Sequence, residues 1–186
     1  MQIRILSIPF ALAIAIASNV AMGSCSDLLD RSFRPLATKS PVNLCDQYAG
    51  KVLLVVNTAS KCGYTPQYEG LEKLHAELSP KGFSVVGFPS NDFSGQEPGT
   101  EDQIREFCTL TYGVKFPMYQ KLVVTGPEAD PLYRQLASDG GGEPGWNFHK
   151  YLISREGKVL QAFPAKIAPD DPELRAAIDK ALQAGS

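Results

Sequence analysis

KVLLVVNTASKCGYTPQYEGLEKL, Lys51 to Leu74, is the stretch on which the fold turns. Lys51 to Asn57 is an almost continuous apolar run of Val and Leu, the composition of a strand buried on both faces of a mixed or parallel sheet. The period then changes, and Leu71, Leu74 and Leu78 recur at helical spacing over Gln67 to Leu78. Between the two lies Cys62, followed by Gly63-Tyr64-Thr65-Pro66. At the threshold of a helix, free N–H groups and the positive end of the helix dipole favour a negative sulfur, so such a thiol can ionise near neutral pH. The alternative is a small buried hydrophobe, the usual state of a free cysteine. The Gly and Pro that follow favour an exposed turn and a reactive thiol.

Working outward, Phe33 to Leu36 and Pro41 to Leu44 read as two short strands of an N-terminal hairpin. Phe83 to Phe88 is a second buried strand. Thr100-Glu101-Asp102-Gln103 has the form of a capping box, opening a helix that runs to about Tyr112 and stops at Gly113. Met118 to Val124 reads as a strand and Leu132 to Ala137 as a short helix. Phe148 to Ser154 and Val159 to Phe163 form a hairpin around Glu156-Gly157, and Pro172 to Leu182 is a closing helix. This order describes an α/β, thioredoxin-like fold with an additional N-terminal β-hairpin.

The 186 residues carry a formal charge of −2, which gives no footprint for nucleic acid or an anionic membrane surface. His75 and His149 are too isolated in the sequence to suggest a zinc site, and no Ser-His-Asp pattern is legible. No cofactor is implied. Residues 1–23 have a positive start at Arg4, a short apolar core and small residues at Ala21 and Gly23, the form of a secretory signal peptide. One domain, residues 24–186, is expected to follow it, in an oxidising, periplasmic compartment. A rival reading takes Met22-Gly23-Ser24-Cys25 as a lipoprotein box, which would put a lipid on Cys25 and bring the chain to a membrane. Four cysteines allow three pairings. Cys25 and Cys45 flank the hairpin and are expected to form a structural disulfide, the alternative being lipidated Cys25 and a free, buried Cys45.

Four blocks, LVVNTASKCGYTPQYEGL (Leu54 to Leu71), GFPSNDFSGQEPG (Gly87 to Gly99), FCTLTYGVKFPMY (Phe107 to Tyr119) and WNFHKYLI (Trp146 to Ile153), resemble the glutathione peroxidase family, in the same order and over most of the chain after residue 23. That resemblance implies a hydroperoxide reductase active on hydrogen peroxide and on organic or lipid hydroperoxides. It makes Cys62 the peroxidatic nucleophile, standing where some members carry selenocysteine. Gln96, Trp146 and Asn147 match the rest of the family's catalytic tetrad, and all three can donate N–H groups without carrying charge. Taken singly, Gln96 would be surface, Trp146 core and Asn147 a turn former.

Cys108 stands at the separation from Cys62 found in the thioredoxin-dependent branch, so the resemblance makes it the resolving thiol, and a helical cysteine must be freed to form a disulfide. The reductant is then a thioredoxin-like protein or glutathione. Lys61 is the one obvious basic residue near the motif, weak support for anionic glutathione. The short Gly-rich connection before Trp146 lacks the insertion of tetrameric members and implies a monomer. Pro117 occupies the position where thioredoxin folds commonly hold a cis proline. Two other chemistries fit less well: dithiol exchange needs a second cysteine where Thr65 stands, and peroxiredoxins place Thr where Ala59 stands. A redox sensor using the same sulfenic acid stays open, as does a purely structural domain.

Overall fold

The computed structural model describes residues 25–38 and 40–184. The signal peptide expected over residues 1–23 lies outside them. Eleven regular elements follow in chain order: β1 Ser32–Phe33, β2 Val42–Asn43, α1 Leu44–Tyr48, β3 Val52–Thr58, α2 Gln67–Leu78, β4 Phe83–Pro89, α3 Glu101–Tyr112, α4 Pro131–Gly140, β5 Lys150–Ile153, β6 Val159–Phe163 and α5 Pro172–Gln183.

The sheet runs β4-β3-β5-β6. β3 and β4 are parallel, in register from Val52↔Phe83 to Thr58↔Pro89, with α2 as their crossover. β5 and β6 return antiparallel. This is the thioredoxin-like arrangement that the element order implied. Side chains alternate across β3, so the strand feeds two cores. Val52, Leu54 and Val56 pack with Leu71, Leu74 and Ile178 on the α2 and α5 side. Leu53 and Val55 pack with Leu132, Tyr133 and Leu136 of α4 and with Leu44 and Tyr48 of α1. All seven residues of β3 are buried, which is why its sequence shows no polar alternation.

Several local expectations need correction. The N-terminal hairpin is present, but its strands shrink to two residues each, because Asn43 caps α1, accepting the Cys45 N–H at 2.8 Å, and turns the chain into a helix the sequence did not announce. Met118 to Val124 is not a strand. Met118 makes one parallel bridge to Gly87 and Tyr119 one antiparallel bridge to Pro35. Beyond them the backbone donors go elsewhere: Gln120 to the Arg34 carbonyl, Leu122 to that of Pro89, and Val124 to the Asp92 carboxylate. With its N–H groups spent on three different segments, this stretch cannot build a ladder. The close approach there also explains Gly87, where a Cβ would come within 2.2 Å of the Met118 sulfur. Among the described residues no peptide bond is cis, so Pro117 is trans. The capping box at Thr100 and Gln103 is complete, and Gly113 ends α3 in the left-handed region at φ 62°.

Candidate active site

Cys62 lies in a run of turns after β3, five residues before α2 begins. It is therefore not on the helix's first turn, and the donor that reaches its sulfur comes from the turn instead: the Tyr64 N–H points at Sγ over 3.4 Å. The side chain is also less open than Gly63 and Pro66 suggested, at 8 % exposure. Thr65 explains the tight packing. Its Oγ1 accepts the Cys62 N–H at 3.0 Å and donates to the Ala59 carbonyl at 2.9 Å. The position where a dithiol motif would carry its second cysteine thus holds a hydroxyl that staples the turn.

Two further loops close on this turn. Ser94 and Gly95 are both left-handed, at φ 54° and 62°, and swing the chain so that Gln96 faces Cys62's segment. The Gln96 carbonyl accepts the Lys61 N–H at 3.0 Å, and the Gln96 side chain accepts from Asn147 Nδ2 at 2.9 Å. Asn147 is fully buried. Its loop is pinned to β3 by Asn57, whose amide donates to the Trp146 carbonyl at 3.1 Å and whose own carbonyl accepts the Phe148 N–H at 2.7 Å. Trp146 is 37 % exposed, with its ring 5.6 Å from that of Phe93. Trp146 and Tyr64 border an open groove of about 610 Å³, continued by His149, Pro164, Ala165 and Lys166.

The structure thus gathers the loops of Cys62, Gln96, Trp146 and Asn147. It places Cys108 on the inner face of α3, 2 % exposed and in the same apolar cluster as Cys62 and Tyr68. Both cysteines are free thiols. Burial pushes the Cys108 thiol up to about 11, the Tyr68 hydroxyl pulls it back, and the Glu97 charge adds to the rise. Cys25 and Cys45 are joined in a disulfide, with Cα atoms 5.8 Å apart.

Three contributors were not legible from sequence. Glu97 is buried, accepts from Ser60 Oγ at 3.0 Å, and has its carboxyl raised above the ordinary range by burial, against the pull of Ser60 and Lys121. Lys150 is fully buried in β5, and its amine donates to the carbonyls of Phe148 and Ile167 at 2.7 and 2.8 Å. It holds Phe148, left-handed at φ 64°, directly after Asn147. Burial brings the Lys150 amine down to about 7. Tyr68 is buried beside Cys108. A single sequence offered one available signal, a charged residue inside an otherwise strand-like run at Lys150.

Residues 31–137 match the model of the glutathione peroxidase family. The chain is 43 % identical over 176 residues to hydroperoxy fatty acid reductase gpx1 of Synechocystis sp., covering 89 % of this chain and 98 % of that one. It is 41 % identical over 165 residues to thioredoxin/glutathione peroxidase BtuE of Escherichia coli, covering 76 % and 90 %. Among solved structures, the apo form of Trgpx superposes with a TM-score of 0.67 at 34 % identity, over 86 % of this chain and 97 % of the other. A thiol:disulfide interchange protein from Chlorobium tepidum, at TM-score 0.61 and 19 % identity over 82 % and 92 %, shares the fold alone. With a family match over more than half of its length and a relative 43 % identical across almost its whole length, the chain belongs to the glutathione peroxidase family.

Proposed function

We propose that this protein is a thiol peroxidase in which Cys62 attacks one oxygen of a hydroperoxide. The S–O bond forms as the O–O bond breaks, leaving a Cys62 sulfenic acid and an alkoxide or hydroxide that takes up a proton. Gln96, Trp146 and Asn147 supply N–H donors for the departing oxygen. The observation that carries this reading is the interlock of the Cys62, Gln96 and Asn147 loops through the Lys61–Gln96 and Asn147–Gln96 bonds. Cys108 then attacks the sulfenic sulfur, forming a Cys62–Cys108 disulfide and releasing water, and a thioredoxin-like protein reduces that disulfide. Glutathione is the second candidate reductant, less favoured because Lys61 is the one basic residue flanking Cys62. The open groove beside Trp146 suits bulky organic and lipid hydroperoxides.

Export to an oxidising compartment, by way of residues 1–23, fits a Cys25–Cys45 disulfide. A sulfur in that bond has no thiol left to carry a lipid, which favours the disulfide over the lipoprotein reading. α4 reaches Gly140, leaving a short link to Trp146 and no insertion of the kind that builds tetramers, in keeping with a monomer.

The test is steady-state peroxide consumption with thioredoxin and with glutathione, for the native protein, Cys62→Ser and Cys108→Ser. Cys62→Ser should abolish turnover, and Cys108→Ser should abolish the thioredoxin-supported part. Undiminished turnover in Cys62→Ser overturns the assignment.

A further inference from the structure

Tyr68 is fully buried on α2, yet its hydroxyl has no hydrogen-bond partner, and the same holds for the fully buried Thr58 hydroxyl at the end of β3. An unpaired buried hydroxyl costs about 1–3 kcal/mol. A phenylalanine at position 68 would keep the packing of the ring, which meets Tyr112, Phe116 and Phe148 at centroid distances of 5.5, 6.3 and 5.3 Å, without that cost. Cys108 lies one turn before Tyr112 on α3, buried in the same cluster that the Tyr68 ring enters against Tyr112, and the phenol raises the acidity of its thiol.

We propose that Tyr68 is a positioning residue for the resolving step: its hydroxyl waits for a charge on the Cys108 sulfur and donates to it as the thiol becomes the attacking thiolate. This rests on the reading of Cys108 as the resolving cysteine. In that step the Cys108 S–H bond breaks, the new S–S bond forms, the Cys62 S–O bond breaks, and the thiol proton leaves on the released hydroxide as water. Glu97, held by Ser60, is the charged group that opposes ionisation of Cys108. The other titratable groups near Cys108 border a hollow of about 320 Å³ with it: Tyr48 and Tyr119, Arg105 of α3 itself, and Lys115 beyond its end.

The experiment is single-turnover oxidation of the reduced, full-length protein by one equivalent of hydrogen peroxide. Formation of the sulfenic acid and of the Cys62–Cys108 disulfide is followed separately by quenched mass measurement between pH 6 and 9. Tyr68→Phe should form the sulfenic acid at the native rate but the disulfide about tenfold more slowly at pH 7, with the pH profile of that step moved about one unit alkaline. Thr58→Val, which removes the neighbouring hydroxyl and spares that of Tyr68, should keep the native profile. An unmoved profile in Tyr68→Phe, or an equal shift in Thr58→Val, overturns the proposal. Should the native protein form sulfenic acid and no Cys62–Cys108 disulfide, the resolving reading itself falls, and this inference with it.

Discussion

Asn147 Nδ2 donates to Oε1 of Gln96 at 2.9 Å, joining two loops whose residues stand 51 positions apart. The bond spends the Gln96 oxygen on the protein, so that the Gln96 amide N–H groups are the end it has left to offer. A peroxide needs donors at its departing oxygen and has no use for a competing acceptor there. On the proposed function, Asn147 therefore sets which end of Gln96 a peroxide would meet.

Replacing that donor tests the relationship. Asn147→Asp presents an acceptor to the Gln96 oxygen, which forces the Gln96 amide to turn and puts an unpaired charge in a buried place. The expected outcome is a fall in the rate of Cys62 oxidation by about 10²-fold, the size seen when one oxyanion donor is lost. Asn147→Ala should cost about tenfold, since Gln96 is freed without being inverted. Stopped-flow oxidation by hydrogen peroxide measures both, and native-like rates in Asn147→Asp would remove Asn147 from the site.

α3 is tied more loosely to the core than α2 or α5. It buries Ile104 and Cys108 alone, while Leu110 stands 77 % exposed. α2 and α5 bury four side chains each. A helix with so thin an apolar stripe opens at low cost. Hydrogen exchange should therefore show α3 amides exchanging at least tenfold faster than those of α2, and faster again after one equivalent of peroxide. Equal protection in α2 and α3 would leave Cys108 no route to Cys62.

The fold was legible where burial imposed a period. β3, β4 and α2 follow directly from apolar runs and spacing, and α3 from its capping box. α1 was hidden because five residues carry too little periodicity, and its start is set by the Asn43 side chain. Met118 to Val124 has strand composition, but which partners its N–H groups find is a tertiary fact. At the site, Cys62 was legible as a reactive thiol from its place between strand and helix, while Gln96, Trp146, Asn147 and Cys108 were named through blocks that resemble a family. Glu97, Lys150 and Tyr68 were not, because a carboxylate between Gln and Pro reads as surface and a tyrosine on an apolar helix face reads as core.

Thr65 gives a prediction that separates geometry from chemistry. Its hydroxyl donates to one backbone group and accepts from another, both in the Cys62 turn. Thr65→Val keeps the shape and loses both bonds, leaving a buried N–H and carbonyl unpaired at a cost of about 1–3 kcal/mol. Urea denaturation should show that loss, and peroxide reactivity should fall as the turn loosens. Thr65→Ser should restore both. If Thr65→Val matches the native midpoint, the staple contributes nothing.

Lys150 fixes the last prediction, which concerns pH. Its amine titrates at about 7 in the folded protein, against an ordinary 10.5, because burial penalises the charge. Between those two values the unfolded chain binds more protons than the folded one, so stability rises with pH across this window, by up to about 1.4 kcal/mol per unit. Below pH 7 both states are protonated and the full cost of the buried charge is present. The neighbouring His149, lowered to about 4 by burial and by Lys150, acts below this range. A neutral amine still carries two N–H groups, enough for the Phe148 and Ile167 carbonyls, so the clamp on Asn147's loop survives the loss of charge. Urea unfolding at pH 7.5 and 9.5 should therefore show the native protein gaining about 2 kcal/mol more than Lys150→Met over the same interval. The variant lacks the titrating group but strands two carbonyls, so it should be less stable at both values. Parallel pH dependences in the two proteins would mean that Lys150 keeps an ordinary amine pKa despite its burial.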